Sequence, residues 1–176
     1  MKIILGVSGS IGAYKAMDIM RLFQKNDHEV TVVMTRAATR IIPPLTFATF
    51  SPGKVFHELF AEGQDPLLHI NLSRENDMLL VAPATANIIG KMANGIADDL
   101  LSTLFCAFFK RVVVAPAMNT HMLENPAVTD NISRLLSRGI EVMETAEGLL
   151  ANRETGRGRL PDAETIYRHC LGIASV

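Results

Sequence analysis

The sequence predicts a single doubly wound α/β domain over residues 1–176, with a parallel sheet carrying helices on both faces. Three observations predict it. Apolar runs of strand length alternate with helical patterns along the chain, the rhythm of repeated βαβ units. The runs IILGV, VTVVM, MLLVA and VVVA are nearly continuous in Val, Ile, Leu and Met, as strands covered on both faces require. The length of 176 residues and a 48% hydrophobic composition supply one substantial core and leave little for a second catalytic domain. The expected architecture is Rossmann-like and flavodoxin-like.

Strands are expected at 2–7, 29–34, 77–82 and 111–115, with a last short strand at 140–143. A first helix over 12–25 places Ala13, Ala16, Met17, Met20 and Phe23 on one apolar stripe, with Lys15, Arg21 and Lys25 largely off it. Further helices are expected at about 86–93, 98–108, 126–137 and 163–173, the third opening on Pro126, which suits a first helical turn. Three irregular regions remain, 43–68, 117–125 and 144–162. Ligands in open parallel sheets gather outside the carboxyl ends of the strands, where two of these regions begin.

A net charge of −1 and no run of like charge argue against nucleic acid or a membrane surface as partner. No stretch approaches the roughly 18 apolar residues of a membrane span, and the N-terminal apolar run reads as a first strand rather than a cleaved leader. Cys106 and Cys170 have no metal-ligand spacing, so no metal is expected. Both read as buried thiols of a reducing, cytoplasmic compartment.

The first strand runs into GVSGSIGAYK, where Gly6, Gly9 and Gly12 permit close backbone approach and a helix N-terminus offers free N–H groups to an anion. The spacing is neither the dinucleotide fingerprint nor a Walker loop, which disfavours nucleotide hydrolysis. A phosphate-binding turn and an ordinary tight strand-to-helix turn fit it equally. Thr35, then Thr85-Ala86-Asn87, then Ala117-Met118-Asn119 follow successive strands in the same manner. Each of these polar residues is also a normal helix cap, but three polar turns at equivalent strand ends favour one shared ligand.

Four segments in order, GSIGAYK, His69-Ile70-Asn71-Leu72 with Arg74 close behind, PATAN followed by NGIADDLL, and PAMNTHM, resemble the homo-oligomeric flavin-containing cysteine decarboxylases. The branch most resembled is phosphopantothenoylcysteine decarboxylase of coenzyme A biosynthesis. The resemblance runs from residue 1 to about 162. It implies that Gly9, Ser10, Ile11, Thr35, Thr85, Ala86, Asn87 and Met118 hold FMN. It further implies that His69 is the catalytic base and that Asn119, Met122 and Arg74 position the substrate. An imidazole titrates near neutrality and can accept a thiol proton, and Arg offers a fixed fork to a carboxylate or phosphate. On the residues alone, His28, His57, His121 and His169 compete with His69, Arg74 suits a surface ion pair, and Asn119 suits a cap.

The chemistry implied by the resemblance oxidises the cysteine side chain to a thioaldehyde, which eases loss of CO2 and leaves an enethiolate. In the coenzyme A branch a flap cysteine then supplies the proton for reduction to the saturated thiol. Here Asn152 stands at that cysteine's position, within LANRETGRGRL, and an amide cannot donate a proton as a thiol does. Two courses follow: the full coenzyme A step with another proton donor, or oxidative decarboxylation that stops at an enethiol, as in the peptidyl-cysteine branch. Asn152 is placed among the substrate-facing residues. A flavin-binding regulatory protein and the related flavin prenyltransferases are further alternatives; retention of His69, Arg74 and Asn119 argues against the first, and the HINL and PAMN combination against the second.

The segment LLSTLFCAFF is apolar on nearly every face, so it is either a fully buried helix or one covered by another subunit. The resemblance implies a homotrimer or a higher homo-oligomer with FMN near subunit contacts. A separate phosphopantothenate–cysteine ligase is the expected partner that prepares the substrate.

Overall fold

The computed structural model describes residues 1–149 and 153–172. Six parallel strands form the central sheet: β1 (Lys2–Val7), β2 (Glu29–Met34), β3 (Val55–Phe56), β4 (Met78–Ala84), β5 (Arg111–Pro116) and β6 (Glu141–Val142). Their spatial order is β3-β2-β1-β4-β5-β6, so the chain winds outward one way from β1, returns, and winds outward the other way from β4. The switch in direction lies between β1 and β4, where ligands bind in doubly wound folds.

Strand alternation divides the core into two layers. On one face Ile3, Leu5 and Val7 of β1 pack against Ala16, Ile19, Met20 and Phe23 of α1 (Ala16–Lys25) and Ile166 and Cys170 of α9 (Ala163–Leu171). On the other, Ile4 joins Leu72 of α4 (Leu68–Glu75), Ile88, Ile89 and Met92 of α5 (Ala86–Asn94), Leu100, Leu101 and Leu104 of α6 (Leu100–Ala107), and Leu135 of α8 (Pro126–Ser137). Gly6 faces this second layer, where a Cβ would come within 2.7 Å of Leu101. Its bare backbone lets α6 close on the sheet.

Helix starts follow capping chemistry. Asp99 caps α6, accepting from the Ser102 N–H, while the Ser102 hydroxyl accepts from the Asp99 N–H. Pro126 occupies the first turn of α8, behind Asn125 as cap.

Several elements differ from the sequence expectation. The helix expected at 12–25 begins as a 3-10 turn (Ile11–Lys15) before α1. Regions expected to be irregular hold α3 (Pro44–Ala48), β3, the short α7 (Thr120–Leu123), and an antiparallel hairpin of β7 (Ala146–Leu149) and β8 (Thr155–Arg159). Another short helix, α2 (Arg36–Thr39), follows β2 directly. His69 lies in the first turn of α4, a helix not expected from the sequence. Cys106 is exposed, not buried, because α6 turns only Leu100, Leu101, Ser102 and Leu104 fully inward.

The far edge of the sheet is closed by charge. Arg111 at the start of β5 donates to both carboxylate oxygens of Glu141 on β6 (2.7 and 2.8 Å) and to the last carbonyls of α9. Hydrogen bonding to Arg111 holds the Glu141 carboxyl below its ordinary value. A carboxyl with a lowered folded-state pKa contributes stability above its unfolded pKa and loses it as pH falls through the folded value. Glu141→Gln is therefore expected to reduce the acid-side loss of stability, read as a shallower fall of denaturation midpoint with pH below the ordinary glutamate range; an unchanged profile would remove this pair from the stability account.

Candidate active site

Three strand-end turns meet at the switch point. Ser8, at the end of β1, is buried, and its hydroxyl donates to the Pro83 carbonyl (2.7 Å) while its oxygen accepts the Thr85 N–H (2.9 Å). This one side chain ties the ends of β1 and β4 together. In the turn beyond it, Ser10 caps the 3-10 turn by accepting from the Gly12 N–H. Gly9 is required for packing, since a Cβ there would lie 2.4 Å from the Ala37 Cβ of α2. Among the described residues the Gly9 and Ile11 amides make no hydrogen bond within the chain and remain available to an anion.

Thr85 caps α5 by accepting from the Ile88 N–H. At the end of β5, the Ala117 N–H donates to the Ala84 carbonyl (2.9 Å), and Asn119 caps α7 by accepting from the His121 N–H (2.9 Å). The β7–β8 hairpin docks on this third turn. The Met118 N–H donates to the Gly158 carbonyl (3.0 Å), and the Thr120 hydroxyl donates to the Arg157 carbonyl (2.6 Å). Gly158, at φ +119°, presses so closely that a Cβ would fall 2.1 Å from the Met118 oxygen.

These parts enclose a cleft of about 540 Å3, within the range of small-molecule sites. Of the residues singled out from sequence, Gly9, Ser10, Ile11, Thr85, Met118, Asn119 and Met122 line it. Thr35 does not: it is nearly buried and caps α2 by accepting from the Ala38 N–H. Ala86 and Asn87 occupy the first turn of α5 but lie outside the lining. Asn152 lies outside the described residues. His69 and Arg74, both on α4, do not line the cleft of their own chain.

His69 is half-buried, and its ring makes no hydrogen bond to a described residue. Its competitors are engaged or remote. His28 meets the N-terminal ammonium (3.1 Å), His169 meets Glu141 (3.2 Å), His57 lies 3.9 Å from Glu58, and His121 is exposed on α7 and off the lining.

Five contributors were missed in the sequence. Tyr14, Leu149 and Leu160 wall the cleft, and Lys15, read from sequence as an off-stripe charge, lines it together with Arg159. Among the described residues the lining contains no carboxylate. Lys15 donates to the Leu160 carbonyl (3.4 Å), and burial, then the nearby Arg159 guanidinium, lower its pKa. Apolar walls and unpartnered turn amides suit a ligand with a broad apolar part and a phosphate, which is the chemistry of a flavin mononucleotide, and the two cations suit a further anionic group. Among the described residues no group of His, Cys, Asp and Glu could hold a metal ion, and no helix is long and apolar enough to cross a membrane.

The Flavoprotein family profile matches residues 1–174. The chain belongs to the Flavoprotein family. A relative from Streptococcus mutans, named probable phosphopantothenoylcysteine decarboxylase, is 39% identical over 170 residues, covering 95% of this chain and 95% of its own. The coenzyme A biosynthesis bifunctional protein CoaBC of Bacillus subtilis is 44% identical over 168 residues, covering 94% of this chain. The chain spans 41% of that longer relative. Among solved structures, a PPC decarboxylase mutant complexed with pantothenoylaminoethenethiol superposes with a TM-score of 0.85 at 31% identity, covering 97% of this chain and 96% of the other.

The family match directs attention to the thiols. Cys170 is buried on α9, and desolvation pushes its pKa up to about 12, so it is a core side chain and not a proton donor near neutrality. A thiol reagent at mildly alkaline pH is expected to label Cys106 in the native protein and Cys170 only after unfolding. Native labelling of both would contradict this burial.

Proposed function

We propose that this chain is an FMN-dependent decarboxylase that converts 4'-phosphopantothenoylcysteine to 4'-phosphopantetheine in coenzyme A biosynthesis. The carrying observation is the cleft at the β1/β4 switch, bounded by three polar turns and two cations and, among the described residues, by no carboxylate. Similarity to a named phosphopantothenoylcysteine decarboxylase over nearly the whole chain supports the substrate. One domain over 1–176 would hold the activity, with a separate ligase as partner. The B. subtilis relative, by its name, is bifunctional in coenzyme A biosynthesis. We place the protein in the cytoplasm, where that pathway's substrates lie.

FMN supplies reversible two-electron chemistry at the substrate's thiol-bearing carbon. The Gly9–Ile11 amides and the Ser10 and Thr85 hydroxyls would hold its phosphate, with Thr35, Ala86, Asn87 and Met118 completing the surround. Asn119 and Met122 would orient the substrate over the third turn. His69 would accept the thiol proton and Arg74 would pair with the carboxylate. Because α4 lies off its own cleft, both would enter from a neighbouring subunit, in a homotrimer or higher homo-oligomer. The exposed apolar side chains Ile11, Tyr14, Met122 and Leu149, all lining the cleft and 48–66% exposed, would then be covered by that neighbour.

Asn152 favours a second course for the same site. With no thiol at that position, the reaction would end at an enethiol after CO2 loss. The purified protein, incubated with phosphopantothenoylcysteine and separately with a peptide ending in cysteine, distinguishes the two by product mass. Phosphopantetheine supports the full reaction. A product two hydrogens lighter supports the shortened one, and inertness toward both substrates with flavin bound would overturn the reading in favour of a regulatory role.

A further inference from the structure

Two cationic side chains line the cleft apart from the turn amides that would hold a cofactor phosphate. The unpartnered Gly9 and Ile11 amides and the Ser10 hydroxyl form one anion site at the first turn. Lys15 and Arg159 form a second, on the hairpin side. The Lys15 ammonium points to the Leu160 carbonyl at the end of the hairpin, and the Arg159 guanidinium lies against the Gly148 backbone of β7. At Gly148, φ is +148° and a Cβ would come within 2.5 Å of the Arg159 Nη1, so a bare residue makes room for that guanidinium. Neither cation forms an ion pair with a described residue, and Asp18 and Asp162, which favour the charged form of Lys15, are outside the cleft lining. Two mutually repelling cations facing one cleft, with no acid in its described lining, call for an anionic ligand.

We propose that Lys15 and Arg159 clamp the terminal phosphate of the substrate and make this cleft selective for a phosphorylated cysteine derivative over a peptidyl one. The inference rests on the decarboxylase reading and names the group that sets its specificity. Arg159 supplies the planar fork suited to phosphate oxygens, and Lys15 adds a point charge from the first turn of the chain's helical segment. The carboxylate of the same substrate is left to other residues.

The test uses the flavin-loaded full chain and two thiols that differ only in the phosphate, phosphopantetheine and pantetheine, with affinities measured by calorimetry. The wild type is expected to prefer the phosphorylated thiol by about 10- to 100-fold, the scale of one or two hydrogen bonds to a charged group. Lys15→Gln and Arg159→Gln should each remove most of that preference, and Arg159→Lys should restore part of it. Flavin content, measured on the same samples, should stay at the wild-type level. Equal wild-type affinities, a preference unchanged in both variants, or loss of FMN with the phosphate preference intact would overturn the clamp. A protein that turns over phosphopantothenoylcysteine yet binds the two thiols equally defeats the clamp alone. One that binds flavin but neither turns over nor binds either thiol defeats the decarboxylase reading with it.

Discussion

His69→Asn is expected to lower turnover by about 100- to 10,000-fold, the contribution of a positioned general base, while FMN remains bound. The imidazole stands in the first turn of α4, half-buried and without a hydrogen bond to a described residue, so its loss breaks no such bond and leaves no buried group unsatisfied. Stability should change by no more than about 0.5 kcal/mol, as for surface substitutions away from special features. Because the residue lies off the cleft lining of its own chain, it is no part of the turns that would hold the flavin. The effect should fall on kcat. Wild-type turnover in the variant would remove His69 from the chemistry.

Gly158→Ala is expected to open the cleft without unfolding the chain. At φ +119° any side chain is strained, and a Cβ 2.1 Å from the Met118 oxygen cannot be accommodated without moving one backbone off the other. The hairpin must lift, losing the Met118 N–H to Gly158 carbonyl bond and the Thr120 hydroxyl to Arg157 carbonyl bond. Strain of about 1–3 kcal/mol at such a site corresponds to roughly a 5- to 150-fold loss in ligand affinity. Leu149 and Arg159 leave the cleft with the hairpin, whereas Leu160, beyond its end, stays in the core layer between sheet and helices. Ligand dissociation constants should rise while the thermal midpoint moves little; unchanged affinity would show that the hairpin does not wall the site.

Much of the fold was legible because its signals are local. The Lys2–Val7 and Glu29–Met34 strands and the Pro126–Ser137 helix begin and end where the apolar period and the caps place them. The cleft's turns were legible for the same reason: Ser10, Thr85 and Asn119 are polar residues set directly after apolar strands. What was not legible depends on long-range contacts. The TGRGR strand has no β-branched or aromatic residue after Thr155 and forms against AEGL and the Met118–Thr120 turn, so nothing local marks it. Lys15 looks solvated on a helical wheel, yet the hairpin's return across the first turn brings Leu160 and Arg159 to it. Helix α4 presents only Leu72 and Ser73 fully to the core, too weak a stripe to mark a helix in the sequence. Cys106 was misread because an apolar sequence does not say which side of α6 meets the sheet.

The most direct test of the central claim is a crystal structure of the purified protein with its flavin. The account predicts FMN in the β1/β4 cleft, its phosphate on the Gly9–Ile11 turn beside Thr85, its ring against Met118, and His69 of a neighbouring subunit facing the substrate side. Flavin bound elsewhere, or a cleft closed by its own side chains with every His69 turned to solvent, would contradict it.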